Sequence, residues 1–412
     1  MSDTPSIENV PVGTTSTDAA SIDATSIGQL LRAARPDRVA EVAAQYAADE
    51  FGACQFEILL ADYRTDGLWP VLGESSAAGS VYDATAAGRA FGSQRTVLEA
   101  LDGTGTRVLT PLTVWSDRLG LLVLELAEPP DEAYLDALRT VADQIAIALA
   151  VADRSTDRYA MVRRRQRLTL AAEMQWDLLP GRAIGGENFL LAGQLEPAYA
   201  VSGDHFDWSM DGRRLTMTVL NGDGTGLDAT MLTTLTVAGM RNARRSGGNL
   251  VEQAELASDA IYGVHGGERS VGTLLLEIDL DEGHVTAIDA GSPQAFGMRG
   301  TQATQVKLDH QLPLGMFADS RYDIQTFTLE PGERLFVVSD GVHAAAPGGR
   351  TTYGEASLLA ALRGTRLQPA TEAVGSVMRG LRDYHRGDEL ADDAVIVCLD
   401  WHGPPQVAAR QV

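Results

Sequence analysis

Hydrophobic and polar positions along this chain change rhythm several times. Residues 1–26 are mostly Ser, Thr, Asp, Pro and Ala. They carry too little apolar surface to offset the entropy of ordering, which predicts a disordered tail. Over 27–152 helical and strand patterns mix. "IGQLLRAARPDRVAEVAAQYAADEF" has apolar residues at helical spacing, interrupted at Pro36. "ACQFEILLADY" and "RVLTPLTVW" read as strands and "LGLLVLELA" as a buried strand. "DEAYLDALRTVADQIAIALAVADR" puts Leu135, Leu138, Val141, Ile145 and Leu149 on one helix face. A helix, strands and a closing helix predict a small α/β sensor domain.

Residues 153–181 continue as a polar helical linker. Met161, Leu168, Ala172, Gln175 and Leu179 form a weak coiled-coil seam, and Pro180 and Gly181 end it. From 182 to 404 strands dominate: "FLLAGQL", "RLTMTVLN", "GTLLLEIDL", "HVTAIDA", "YDIQTFTL", "RLFVVSD" and "DAVIVCLDW". Helical patterns fall at 228–245, 249–264, 354–363 and 370–386. Strand runs with helix pairs between them predict an α+β fold of two sheets flanked by helices, with a short tail at 405–412.

Composition narrows the classes. A length of 412 residues implies two or three domains. A net charge of −23 argues against nucleic acid and anionic membrane as partners. The one basic run, "RRRQR" at 163–167, reads as a solvated helix face. No run of about 18 apolar residues is present, so no membrane span is expected. "MSDTPSIENV" lacks the basic and apolar regions of a signal peptide, and a cytoplasmic location is the expectation. Cys54 and Cys398 lie far apart, each in an apolar run, and read as buried free thiols, Cys54 within a strand.

The candidate chemistry is acidic. "SGDHFD" carries Asp204 and Asp207, "NGDG" Asp223, "VSDG" Asp340, and "LADD" Asp392 and Asp393, at predicted strand ends or in adjoining loops. Oxygen ligands without a His or Cys cluster suit Mg²⁺ or Mn²⁺. Carboxylates converging from several strands are what a two-metal site needs to activate water and clamp a phosphoryl group. Any one of these motifs taken alone is equally an Asp-Gly turn. "VLNGDGTGLDATM" is not followed by GK[ST], so it does not read as a nucleotide P-loop.

Two resemblances follow. The first region, on the order of its elements and on "LGLLVLELAEPP…YLDALRTVADQIAIAL", resembles a GAF domain. This implies a small-ligand sensor or a dimerisation module; with no His in this region, haem or bilin attachment is not expected. Residues 170–400 resemble the PPM-type (type 2C) protein serine/threonine phosphatases, in the branch of sporulation stage II protein E and RsbU. The resemblance rests on "AAEMQWDLLP", "EPAYAVSGDHFDW", "LNGDGTGLDATML", "SVGTLLLEIDL", "DAGSPQAF", "LPLGMF", "RLFVVSDGVHAA" and "LADDAVIVCLDW", in that order. It implies an αββα sandwich over 182–404, with Asp204, Asp340 and Asp392 as catalytic metal ligands and a backbone carbonyl from Gly222. It also implies hydrolysis of phosphoserine or phosphothreonine without a phosphoenzyme. The implied substrate is a phosphorylated STAS-domain anti-sigma factor antagonist. The sensor and linker would exert control, in a homodimer and through an unknown small ligand.

The chain departs from that pattern at one metal position above all. Asn221 stands where the family has its bridging Asp, and Thr225, Ser292, Val271 and Val395 replace other motif residues. Asn offers one neutral oxygen and an NH₂ that faces a cation badly. If the backbone at 221–223 is extended, Asn221 and Asp223 point the same way, and Asp223 becomes a substitute ligand. If it turns, that relation is lost. The alternative reading is a degenerate phosphatase that acts by binding a partner.

Overall fold

The computed structural model describes residues 26–404, apart from 75–77, 82–83, 104, 166–167, 199–200 and 387–388. The expected tails at 1–26 and 405–412 thus lie outside the described residues, except for Ser26, which opens the first helix. Contacts divide the chain into two compact units that part at Arg163 and Arg164; Tyr63–Thr65 and Trp115–Arg118 count with the second.

The first unit is built on an antiparallel sheet. Its strands are β1 (Gln55–Ala61), β2 (Gly67–Pro70), β3 (Gly79–Ser80), β4 (Val97–Ala100), β5 (Thr106–Val114) and β6 (Asp117–Leu126), in the order β3-β2-β1-β6-β5-β4. Helices α1 (Ser26–Ala33) and α2 (Val39–Phe51) precede it, with Pro36 opening a short 3₁₀ turn between them. Helix α3 (Ala86–Ser93) lies within it, and α4 (Glu132–Ala152) and α5 (Arg158–Arg163) follow. Leu122, Leu124 and Leu126 of β6 join one core with residues of α1, α2, α4 and α5, while Leu121 and Val123 join another with α3. Burial on both faces explains why β6 reads as an unbroken apolar run rather than an alternating one. Cys54 is exposed and precedes β1, so its expected burial in a strand is corrected.

The expected continuous linker helix is also corrected. It appears as α5 and a separate α6 (Leu170–Leu178), with Thr169 capping α6 by accepting the Ala172 N–H at 3.2 Å. Tyr159 is drawn into the first core, and its hydroxyl donates to the Pro36 carbonyl. Met161 is exposed whereas Gln175 is fully buried, so the two do not share a seam. The basic run leaves the helix after Arg163, which pairs with Asp153, and Arg164 pairs with Glu173.

The second unit carries two sheets. One has β9 (His205–Asp211), β10 (Arg214–Gly222), β11 (Val271–Asp279), β12 (His284–Ala290) and β15 (Gln325–Thr328), in the order β15-β12-β11-β10-β9. The other has β7 (Ala183–Gly185), β8 (Phe189–Glu196), β13 (Gln294–Arg299), β14 (Gln302–Gln305), β16 (Arg334–Val338) and β17 (Ala394–Trp401), in the order β14-β13-β16-β17-β8-β7. The inner faces meet: Leu215, Met217 and Val219 of β10 pack in one cluster with Val395, Val397 and Leu399 of β17. Helices α7 (Gly226–Arg245) and α8 (Leu250–His265) cover the outer face of the first sheet. A short α9 (Asp340–His343), then α10 (Leu359–Gly364) and α11 (Ala370–His385), serve the second. Alternate residues Ala394, Ile396 and Cys398 face these helices, so Cys398 is buried as expected, and burial pushes its thiol pKa up. The result is the anticipated four-layer α+β sandwich. Among the described residues no helix is long and apolar enough to cross a membrane.

One ion pair fastens β16, β17 and the α10–α11 connection. Arg334 bonds both Asp400 oxygens through Nε and Nη2 and donates to the carbonyls of Thr365 (2.9 Å) and Gln368 (2.6 Å). Asp400 also accepts the Ala370 N–H. Arg334→Met leaves this half-buried carboxylate without its cation and should cost about 3 kcal/mol, read as a lower urea midpoint.

Candidate active site

The acidic residues meet where the two sheets end together. On the first sheet the β9–β10 ladder closes with His205 opposite Leu220, and the Gly222 N–H still reaches the Gly203 carbonyl at 3.2 Å. Asp204 therefore lies beside Asn221. This approach needs Gly203: a Cβ there would stand 2.3 Å from the Gly222 carbonyl oxygen. On the second sheet the β16–β17 ladder runs on through Ser339 and Val395, placing Asp340 beside the 392–393 pair. A Cβ at Gly341 would come within 1.7 Å of the Asp393 carbonyl oxygen. The Asn221 side chain joins the sheets: its NH₂ donates to Asp340 Oδ2 and, at 3.0 Å, to the Ser292 hydroxyl.

Charge is badly compensated here. Asp204 is completely buried, and neither of its carboxylate oxygens meets a hydrogen bond of good geometry, although the nearby Ser339 hydroxyl eases its charge; Asp340 Oδ1 is also without a partner. Burial raises the Asp204 pKa well above the usual carboxylate range, and the charges of Asp340 and Asp392 push it further. Asp340 is raised too, by burial and then by Asp392, with His343 opposing. His343 Nε2 lies 3.0 Å from the Ser292 carbonyl oxygen, which places this ring at the same site. A cavity of about 440 Å³ opens beside Asp340 and Asp392, walled by Ala344, Pro347 and Glu389, within the size range of ligand sites.

The other acids have different work. Asp393 is pushed up to about 6 by burial, yet both its oxygens are satisfied, by Gln175 Nε2 at 2.7 Å and the Ala198 N–H at 2.8 Å. Asp207 is buried between Arg241 and Arg244. Asp223 does not join the cluster. The backbone at Asn221 and Gly222 is extended, paired with Gly272 and Val271, but the strand ends there and the chain bends at Asp223, so the condition for substitution is not met. The Asp223 carboxylate turns to the Ser270 N–H (3.0 Å) and hydroxyl (2.9 Å) and is exposed. Asp223 as a ligand is thus corrected. Asp223→Asn should leave Mn²⁺ affinity within about twofold of wild type by calorimetry and cost at most about 1 kcal/mol of stability.

Sequence reasoning placed Gln175 in a helical seam and missed its role. Its amide donates to the carbonyls of Ser202 (3.2 Å) and Asp204 (3.0 Å) as well as to Asp393, tying α6 to the backbone of the site. The available signal was a lone amide following the buried Ala171 and Ala172 on α6.

The residues can be weighed against a hard cation. Poorly satisfied, buried carboxylate oxygens on Asp204 and Asp340, with Asp392 alongside, are the donors such an ion takes. Among the described residues, however, no group of three or more His, Cys, Asp or Glu side chains is already arranged to hold a metal ion. The donor set suits one cation drawn in among Asp204, Asp340 and Asp392. It does not suit a bridged pair, because Asn221 turns N–H groups toward Asp340 where a second anion would be needed.

Part of this sandwich matches a known family model. Residues 211–402 match the family model of stage II sporulation protein E (SpoIIE). The SpoIIE-type segment thus runs from the end of β9 to just past β17. No curated protein matches the chain. Similar solved structures include the RsbU and RsbW domains of Rv1364c from Mycobacterium tuberculosis, at 20% identity and TM-score 0.47, over 53% of this chain and 63% of that one. The PP2C phosphatase domain with a regulatory fragment of SpoIIE from Bacillus subtilis is 19% identical, with TM-score 0.46, over 53% and 66%. The SiaA-PP2C domain of Pseudomonas aeruginosa is 17% identical, with TM-score 0.46, over 51% and 85%. The chain thus spans less than two thirds of the first two.

Proposed function

We propose that the SpoIIE-type unit is a cation-dependent phosphoprotein phosphatase acting on phosphoserine or phosphothreonine. The observation that carries this reading is the gathering of Asp204, Asp340 and Asp392 at the end of both sheets, with poorly satisfied buried oxygens on Asp204 and Asp340. The match to the SpoIIE family supports it. Asp204, Asp340 and Asp392 would hold Mn²⁺ or Mg²⁺, with the Gly222 carbonyl at the same strand end. When bound, the cation supplies a water activated for attack on phosphorus and a positive charge for the phosphoryl oxygens. Asp340 and Asp392 border the cavity that would admit the phosphorylated side chain. Gln175 and Asp393 hold the backbone on which Asp204 is carried.

The intended substrate is a phosphorylated STAS-domain anti-sigma factor antagonist. A GAF-like sensor at 27–152 and the linker at 153–181 would exert control, in a homodimer and through a small ligand. A second reading is favoured by one observation: Asn221 already supplies Asp340 with a hydrogen-bond donor, as in a phosphatase-like protein that binds a partner without turnover. The test is release of phosphate from a phosphoserine STAS protein across a Mn²⁺ titration, beside Asp340→Asn. The enzyme reading expects cation-dependent turnover lowered at least about 100-fold in the variant. Wild type without turnover, but binding the substrate protein as tightly as the variant does, would favour the second reading instead.

A further inference from the structure

At the far end of α7 a second cavity of about 490 Å³ opens on the outer face of the first sheet. Arg241, Arg244 and Arg245 wall it, and Thr216 and Glu277 form part of its floor. Asp207 organises it. This carboxylate, 4% exposed, bonds Arg241 at 2.7 Å and Arg244 at 3.0 Å, locking two guanidinium groups side by side. Basic residues in a last helical turn ordinarily need no explanation beyond the helix dipole. Here Arg244 and Arg241, a turn earlier, are drawn together by a buried acid and line a cavity of ligand size. Arg244 gives one N–H to Asp207, and the rest of its five-donor fork is uncommitted among the described residues.

We propose that this cavity is a binding site for a small organic phosphate. Paired, pre-positioned guanidinium groups suit the tetrahedral dianion, which can take several N–H donors at once. Arg214 and Arg245 add further positive charge at the cavity wall. The cavity is also lined by Asp211 and Glu277, which accept hydrogen bonds and repel bare anions. It thus favours a phosphate ester whose hydroxyl or amino groups face them over free phosphate.

Occupancy would also reach the first site. Arg241 donates at 2.8 Å to the carbonyl of Leu178, the last residue of α6. The same helix presents Gln175 to Asp204 and Asp393. A phosphate that recruits Arg241 therefore alters the hold on the end of α6.

The experiment titrates adenosine monophosphate, and separately inorganic phosphate, into the full chain in chelator, read by calorimetry and by tryptophan fluorescence, since Trp208 borders the cavity. Saturable 1:1 binding of the nucleotide is expected, at least tenfold tighter than phosphate. Arg244→Gln and the exposed Arg245→Gln should weaken it at least tenfold, while Asp340→Asn should bind like wild type. Amide exchange in α6 should change on binding. The proposal is overturned by absence of saturable nucleotide binding or by equal affinity for inorganic phosphate. It is equally overturned by binding that survives both arginine substitutions or is lost in Asp340→Asn. Arg245→Gln keeps the test sound if Arg244→Gln fails to fold, because Arg245 makes no bond to Asp207.

Discussion

Asn221→Asp is expected to destabilise the cation-free protein and to strengthen cation binding at the same time. In chelator the variant loses the hydrogen bonds from Asn221 to Asp340 and Ser292, and sets a new carboxylate against one whose pKa is already raised by burial and by Asp392. A hydrogen bond to a charged group is worth about 1.5–3 kcal/mol, so Tm should fall on the order of 5 °C. In millimolar Mn²⁺ the added charge becomes a ligand. Tm should then rise above that of wild type under the same conditions, and turnover on a phosphoserine protein should increase at least about tenfold, or ~1.4 kcal/mol of barrier. A variant that melts at the wild-type temperature in chelator, or gains no more from Mn²⁺ than wild type does, would remove Asn221 as the limiting feature of the site.

Much of this arrangement was legible in the chain, for identifiable reasons. The buried strands β6, β10, β11 and β17 announced themselves as apolar runs because helices cover one face and the core the other. β9 did not: its run alternates Phe206 and Trp208, which enter the inter-sheet core, with Asp207 and Ser209, which line the outer cavity. The short edge strands β7 and β14 carry too few residues for a period to show. The break between α5 and α6 was hidden because Met161 and Gln175 belong to the same polar helical pattern, and only tertiary contacts assign Tyr159 to one core and Gln175 to another site. At the acidic cluster, strand-end positions marked Asp204, Asp340 and Asp392. Asp223 did not join them because the chain bends there and its carboxylate bonds Ser270, which a strand period carried past Gly222 does not anticipate.

Asp204→Asn should produce the opposite trade: a more stable protein in chelator that no longer responds to cation. The folded state holds the Asp204 proton to a pH well above the 3.8 of an ordinary Asp, through burial first and then the charges of Asp340 and Asp392. Between those two values the folded chain binds more protons than the unfolded one. Stability therefore declines as pH rises from about 4 until the folded-state pKa is passed, and the whole penalty persists above it. Asn removes this titration while keeping the shape, and its NH₂ finds an acceptor in the neighbouring carboxylates. At pH 7.5 in chelator, Tm of the variant should exceed wild type by at least about 3 °C, the shift of roughly 1 kcal/mol. Between pH 5 and 8 its Tm should fall less steeply than that of wild type, because the raised Asp340, Asp393 and Asp143 and the His205 lowered to about 4 by burial contribute equally to both proteins. Mn²⁺ should raise Tm of wild type and leave the variant unmoved, because binding to the folded state alone is what stabilises it. A variant less stable than wild type in chelator would mean that Asp204 serves the fold; a variant still stabilised by Mn²⁺ would place the cation elsewhere. The expected pair of results would mean that this buried acid is retained at a cost to stability, as groups kept for binding or chemistry often are.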